Sequence, residues 1–201
     1  MILVVSATRQ ETAFLEPRAG VEVLVTGIGL VEAAAQLSRA LAQDRYDLVV
    51  SAGIAGAYDE ELAIGDGVVV AEESLELDLE TGHALPLPAG MTVHDRAASD
   101  LVLVDRLVEL GFRSVRGATV SRVTATDETA ARLRASGARI ESMEGFGVLR
   151  AAEIAGVAAV ELRGISNYAR ERSRSRWDFS AGTRGLANIT EAFLALEDLP
   201  A

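Results

Sequence analysis

Residues 21–52, VEVLVTGIGLVEAAAQLSRALAQDRYDLVVSA, decide the fold class. Val21–Thr26 is short, Val-rich and closed by glycine, the pattern of a buried strand. After Gly27-Ile28-Gly29, the run Leu30–Gln43 places Val31, Ala34, Ala35, Leu37, Leu41 and Ala42 at helical spacings. Leu48–Ala52 then returns to a Val-rich run that ends at Gly53. A strand, a crossover helix and a second apolar strand form the repeating unit of a parallel sheet.

The same alternation extends in both directions. Ile2–Ser6, Gly67–Glu72, Val115–Val120, Ala138–Ser142 and Val157–Arg163 read as strands. Ser99–Leu110, Asp127–Ser136 and Gly147–Ala155 read as helices, each followed by a glycine, and Asp178 or Ser180 can cap a last helix that runs to about Leu196. These segments predict an α/β fold, a three-layer αβα sandwich around a mostly parallel or mixed central sheet, with 1–201 as a single domain. In such sheets a ligand binds beyond the carboxyl ends of the strands.

Composition narrows the function classes. Hydrophobic residues make up 49% and charged residues 24%, a globular balance. There is no cysteine and only His83 and His94, so no metal centre is expected; both histidines lie in a polar, proline-punctuated stretch and read as exposed. A net charge of −11 argues against nucleic acid and anionic membranes as partners. The opening Met1–Ser6 is apolar but short and lacks a basic flank, so it reads as a first strand and not as a signal peptide, and no apolar run is long enough to span a bilayer. The expected compartment is the cytoplasm.

Two strands are expected to end in glycine-rich turns, Gly27–Gly29 and Gly53–Gly56. Neither fits a dinucleotide fingerprint: the first GxG follows the second strand, its third glycine position is Glu32, and Asp47 precedes its strand. No Gly-Lys-Ser/Thr exists, which excludes a P-loop. The remaining physical meaning is close backbone approach to a ligand, or ordinary tight turns. Polar residues near strand ends are Glu11, Glu144 and Asn167, with Arg163 shortly before Asn167. Each has a structural alternative: a first-turn helix acid for Glu11 or Glu144, an ion-pair partner for Arg163, a turn residue for Asn167.

The phrase Ser142-Met143-Glu144-Gly145, followed by Arg163-Gly164-Ile165-Ser166-Asn167, resembles the purine nucleoside phosphorylase and nucleosidase superfamily. Ala7-Thr8-Arg9-Gln10-Glu11, the Gly53–Gly56 segment, and Val115-Arg116-Gly117 leading to Val120-Ser121 match in the same order. The resemblance implies cleavage of a ribosyl–purine bond through an oxocarbenium-like state, without a cofactor. It assigns Glu144 to the ribose hydroxyls, Met143 to the underside of the sugar, Glu11 to water activation with Arg163 orienting it, and Asn167 to purine N7 and O6. Ala55, Gly56, Ser142 and Ala125 become expected substrate contacts.

Within that superfamily, asparagine at 167 suits a 6-oxopurine, and Val50-Ser51-Ala52 lacks the cation that phosphorylases use for phosphate. Both features, with the Arg-rich stretch and Trp177-Asp178, resemble the futalosine hydrolases, which release hypoxanthine in menaquinone biosynthesis. Arg170, Arg172, Arg174 and Arg176 are then candidates for the substrate carboxylate. Trp177 is either a lid or a core anchor for the last helix. Two departures stand out: Ile54 replaces a serine of related nucleosidases, and Val123-Thr124-Ala125-Thr126 lacks the aromatic that stacks on the base, leaving backbone, small polar groups or Phe146 to hold it. The alternatives are a methylthioadenosine/adenosylhomocysteine nucleosidase, a 6-oxopurine phosphorylase, and a non-catalytic nucleoside-sensing domain. The resemblance also implies a homo-oligomer, a dimer or larger.

Overall fold

The computed structural model describes residues 1–77 and 84–199. His83 lies outside the described residues, and His94 is exposed. The elements follow the order β1 (Ile2–Ser6), β2 (Val21–Val25), α1 (Leu30–Gln43), β3 (Leu48–Ala57), β4 (Gly67–Leu75), β5 (Arg96–Ala98), α2 (Leu101–Glu109), β6 (Arg113–Thr119), α3 (Asp127–Ala135), β7 (Ile140–Ser142), α4 (Gly145–Ala155), β8 (Ala158–Tyr168) and α5 (Phe179–Leu194).

The α/β expectation holds: a mixed sheet lies between helices. β2, β1, β3 and β8 run parallel side by side, β8 meets β4 antiparallel, and β4 and β6 pair in parallel. β7 joins β6 in parallel and returns to the far end of β3 through an antiparallel contact at Gly56 and Ala57. The strands β3, β8, β4, β6 and β7 thus close a circuit, and β5 adds to the edge of β4. That closure brings β7, and the turn behind it, against the carboxyl ends of β3 and β8.

Alternate strand residues feed two apolar layers, as a period of two requires. Ile2, Val4, Leu48 and Val50 pack with Leu103 and Leu107 of α2 and with Leu186, Ile189 and Phe193 of α5. Leu3, Val5 and Val49 pack on the other side with Leu37 of α1 and with Val148, Leu149 and Ala152 of α4. Side-chain caps start three helices: Asp100 accepts from Val102 and Leu103, Thr126 from Thr129, and Asp178 from Ala181. The last settles the choice between Asp178 and Ser180.

Two expectations are corrected. Gly53–Gly56 is no turn: β3 continues through it to Ala57, paired residue by residue with β8. β8 likewise runs past Arg163 to Tyr168, so Asn167 sits within a strand. The glycines serve space and not φ freedom. Register places Gly53 beside Arg163 and Gly56 beside Asn167. A Cβ at Gly53 would lie 2.1 Å from Arg163 Nη1, and one at Gly56 would lie 3.1 Å from Asn167 Nδ2. Each glycine is the floor under a buried polar side chain of the neighbouring strand.

Candidate active site

A cavity of about 650 Å³, counting its open mouth, opens at the carboxyl ends of these strands. Four separate segments line it: Ala7, Thr8 and Glu11 after β1; Ile54, Ala55 and Gly56 on β3; Glu141, Ser142, Met143 and Glu144 around the end of β7; Ser166 and Asn167 on β8. Ile28, Val120, Val123, Trp177 and Phe179 complete the wall. Glu11, Glu144, Met143, Asn167, Ala55, Gly56, Ser142 and Trp177 are therefore brought to one place.

The carboxylates are held by backbone amides. Glu11 lies in a turn, not a helix, and its Oε2 accepts from Thr8 N (2.8 Å) and Thr8 Oγ1 (2.9 Å), while Oε1 accepts from Ile54 N at 3.1 Å. Glu144 Oε1 accepts from Gly29 N at 2.7 Å. Gly29 has φ 104°, a conformation open to glycine, and this directs its N–H at the carboxylate. Burial pushes the Glu144 carboxyl up, and the Arg163 guanidinium and the Gly29 N–H offset part of that rise.

Asn167 is buried, and its Oδ1 lies 2.9 Å from Ser166 Oγ. Asn167 lines the cavity, and Nδ2 is the donor end of its amide. Ser166 occupies a bulge between β3 and β8, and its hydroxyl also lies 3.2 Å from the Ala55 carbonyl. Bulges re-aim a strand's side chains, and this one sets the direction of Asn167.

Arg163 sits beside Glu11 and has further partners in the core. Its Nε donates to Glu161 Oε1 at 2.7 Å, with Nη2 3.4 Å from Ser51 Oγ and Nη1 3.5 Å from the Ile54 carbonyl. It flanks Glu11 across Gly53, where an added Cβ would lie 3.0 Å from Glu11 Oε1, but it forms no ion pair with it. Together with Glu144 it lines a small adjoining void.

Several expected substrate contacts lie elsewhere. Ala125 is not in the cavity wall; its carbonyl accepts from Arg172 N at 3.0 Å. Arg170 stacks 4.5 Å over the Tyr168 ring and pairs with Glu60 at 3.2 Å. Arg174 pairs with Asp127. Arg172 stands 5.9 Å above the ring of Trp177, a wall residue, and Arg176 directly precedes that tryptophan in the chain. Phe146 packs in the core beside Leu3 and Leu37 and cannot hold a base. Trp177 and Phe179 are each 43% exposed at the cavity, which excludes a core-anchor role for Trp177.

The residue missed by spacing is Glu141, whose carboxylate accepts from Thr124 N (3.1 Å), from Thr124 Oγ1 and from Tyr58 Oη at 3.1 Å. Burial pushes its carboxyl up against those donors. It lies one residue before Ser-Met-Glu, where a strand glutamate reads as an exposed face.

Chemically, the cavity offers three carboxylates, one amide and an apolar wall, with no cation among its described lining residues. Such a site suits a substrate that develops positive charge. Residues 9–195 match the phosphorylase superfamily. The chain is 34% identical to a futalosine hydrolase from Thermus thermophilus, covering 98% of this chain and 96% of that one. It is 36% identical to a futalosine hydrolase from Streptomyces coelicolor over 86% of this chain and 77% of the relative. Among solved structures, a 5'-methylthioadenosine/S-adenosylhomocysteine nucleosidase from Helicobacter pylori superposes with a TM-score of 0.81 at 18% identity, covering 96% of this chain and 97% of that one. That likeness shows the fold.

Proposed function

The chain belongs to the phosphorylase superfamily, and on that premise we propose that it hydrolyses the N-glycosidic bond of futalosine, releasing hypoxanthine and dehypoxanthine futalosine. The observation that carries this reading is the convergence of Glu11, Glu144 and Asn167 on one cavity that contains no phosphate-binding cation among its described lining residues. Three carboxylates repel a phosphate dianion, whereas water needs only a base and an orienting contact.

In this reading the substrate's ribose lies over Met143, with its hydroxyls on Glu144. As the C1′–N9 bond lengthens, positive charge grows on the sugar, and the Glu144 carboxylate stabilises it more than it stabilises the ground state. Glu11, fixed by Thr8 and Ile54, accepts a proton from the attacking water as its oxygen bonds C1′, and the base that leaves with the C1′–N9 electron pair takes up a proton from solvent. Asn167 Nδ2 donates to the departing base at N7 and O6; both are acceptors in a 6-oxopurine, so the amide supports loss of hypoxanthine. Trp177 and Phe179 cover the 5′ side. The reaction belongs to menaquinone biosynthesis in the cytoplasm, carried out by a homo-oligomer.

The test is a product assay in phosphate-free buffer. Futalosine should give free hypoxanthine and an unphosphorylated sugar product at a rate that added phosphate leaves unchanged. A strict phosphate requirement overturns water as the nucleophile. Preference for methylthioadenosine over futalosine overturns the base assignment.

A further inference from the structure

Beneath the Ser142–Glu144 turn lies a buried charged cluster that the chemistry above does not use. Glu73 of β4 and Glu161 of β8 are both fully buried, and Arg163 is almost so. Both carboxyls press on the same point, the Cα of Gly145. A Cβ there would lie 2.4 Å from Glu161 Oε1, 2.6 Å from Glu161 Oε2 and 2.6 Å from Glu73 Oε1. Arg163 satisfies Glu161 Oε1 at 2.7 Å. Glu161 Oε2 is buried and no donor among the described residues reaches it. Glu73 accepts from Thr119 Oγ1 at 3.0 Å and from Ser142 Oγ at 3.1 Å. Those hydroxyls in turn accept the first amides of α4, Phe146 N at 2.8 Å and Gly145 N at 3.1 Å.

Two ionised carboxylates and one guanidinium would leave an uncompensated buried charge next to Glu144. We propose that Glu73 and Glu161 share one proton, forming with Arg163 a neutral buried unit that positions the turn carrying Met143 and Glu144. The shared proton supplies the donor that Glu161 Oε2 lacks. Glu73 is a positioning residue: through Ser142 and Thr119 it fixes the start of α4, and so the place of Glu144 over the sugar. Burial and the Glu161 charge both push the Glu73 carboxyl up, in the direction sharing requires. The charged and titratable groups around Glu73 are Glu161 and Arg163 on β8 and Tyr58 after β3, with Glu144 facing Arg163 and Glu161 from the turn before α4. Its role in turnover rests on the hydrolase reading above, but the proton itself does not.

The experiment has a spectroscopic and a kinetic arm. Infrared spectra of protein carrying ¹³C-carboxyl glutamate are recorded at neutral pH for wild type, Glu73→Gln and Glu161→Gln. A protonated-carboxyl band present in wild type should be lost in each variant, since one proton serves both side chains. A band that neither substitution removes overturns the proposal, whatever the substrate proves to be. In the kinetic arm, Glu73→Gln mimics the neutral acid and should keep futalosine turnover within about three-fold, with its alkaline decline moved to higher pH than in wild type. Glu73→Leu, which cannot hold Ser142, should lose about ten-fold or more in kcat with KM less affected. Equal loss in the Gln and Leu variants, or an unmoved alkaline limb in Glu73→Gln, overturns the positioning role.

Discussion

At the residue scale, the proposed reaction divides its labour between Glu144 and Asn167. In the proposed reaction Glu144 faces the sugar, and replacing it with glutamine keeps its shape and removes its charge. Glu144→Gln should lower kcat by about 10²-fold or more while KM changes little, because the charge matters most in the transition state. Near-normal steady-state turnover would mean the ribose lies elsewhere. Asn167→Asp removes the donor that a 6-oxo group needs. Relative kcat/KM should shift from futalosine toward 6-aminopurine nucleosides by about 1–3 kcal/mol, or roughly five- to 150-fold; an unchanged ratio would sink the base assignment. These residues were legible in the sequence because they lie in motifs near strand ends. Glu73, Glu141 and Glu161 were not. A glutamate within a Val-rich strand looks like the solvent face of a period-two pattern, and here the closed circuit of strands turns that face inward. The partner of Arg163 was hidden for the same reason: Glu161 stands two residues before it on the same strand.

At the element scale, α1 was legible to its ends because its apolar spacing and flanking loops agree. β3 and β8 were read too short, since Gly53, Gly56 and Gly164 look like turn residues when only φ freedom is considered. β5 has three residues and left no periodic signal. The glycines of β3 instead make a prediction about room. An alanine Cβ at Gly53 would meet the buried Arg163 guanidinium, which is held by Glu161 and cannot swing away. Gly53→Ala should therefore lower kcat about ten-fold or more and destabilise the chain by about 1–3 kcal/mol through overpacking. At Gly56 the nearest atoms, Asn167 Nδ2 at 3.1 Å and Ala169 Cβ at 3.3 Å, need to give by only a few tenths of an ångström. Gly56→Ala should mainly raise KM, since it crowds the base-binding amide. Steady-state kinetics with parallel thermal melts separate the two, and identical effects at both positions would refute the spacer reading.

At the scale of the whole molecule, the buried acids set how stability responds to pH. Most proteins lose stability in acid because paired carboxylates must be protonated. Here burial pushes Glu73, Glu141 and Glu144 up. Between the ordinary carboxylate range and those raised values the folded chain binds more protons than the unfolded one, so stability falls as pH rises. Their contribution is fully present below the ordinary range and is lost on passing through the raised values. The net charge of −11 at neutral pH adds self-repulsion in the same direction, so wild type alone does not separate the two effects. Glu73→Gln does, because it removes one titration from the interior without the buried ionisation. Its Tm should match wild type only below the ordinary carboxylate range, at about pH 3.5, and exceed it increasingly toward about pH 8. For a chain of this length the gap should be about 2–4 °C for each kcal/mol of ionisation cost removed. Wild-type and variant Tm curves that stay parallel from acid to alkaline pH would show that Glu73 does not titrate with folding.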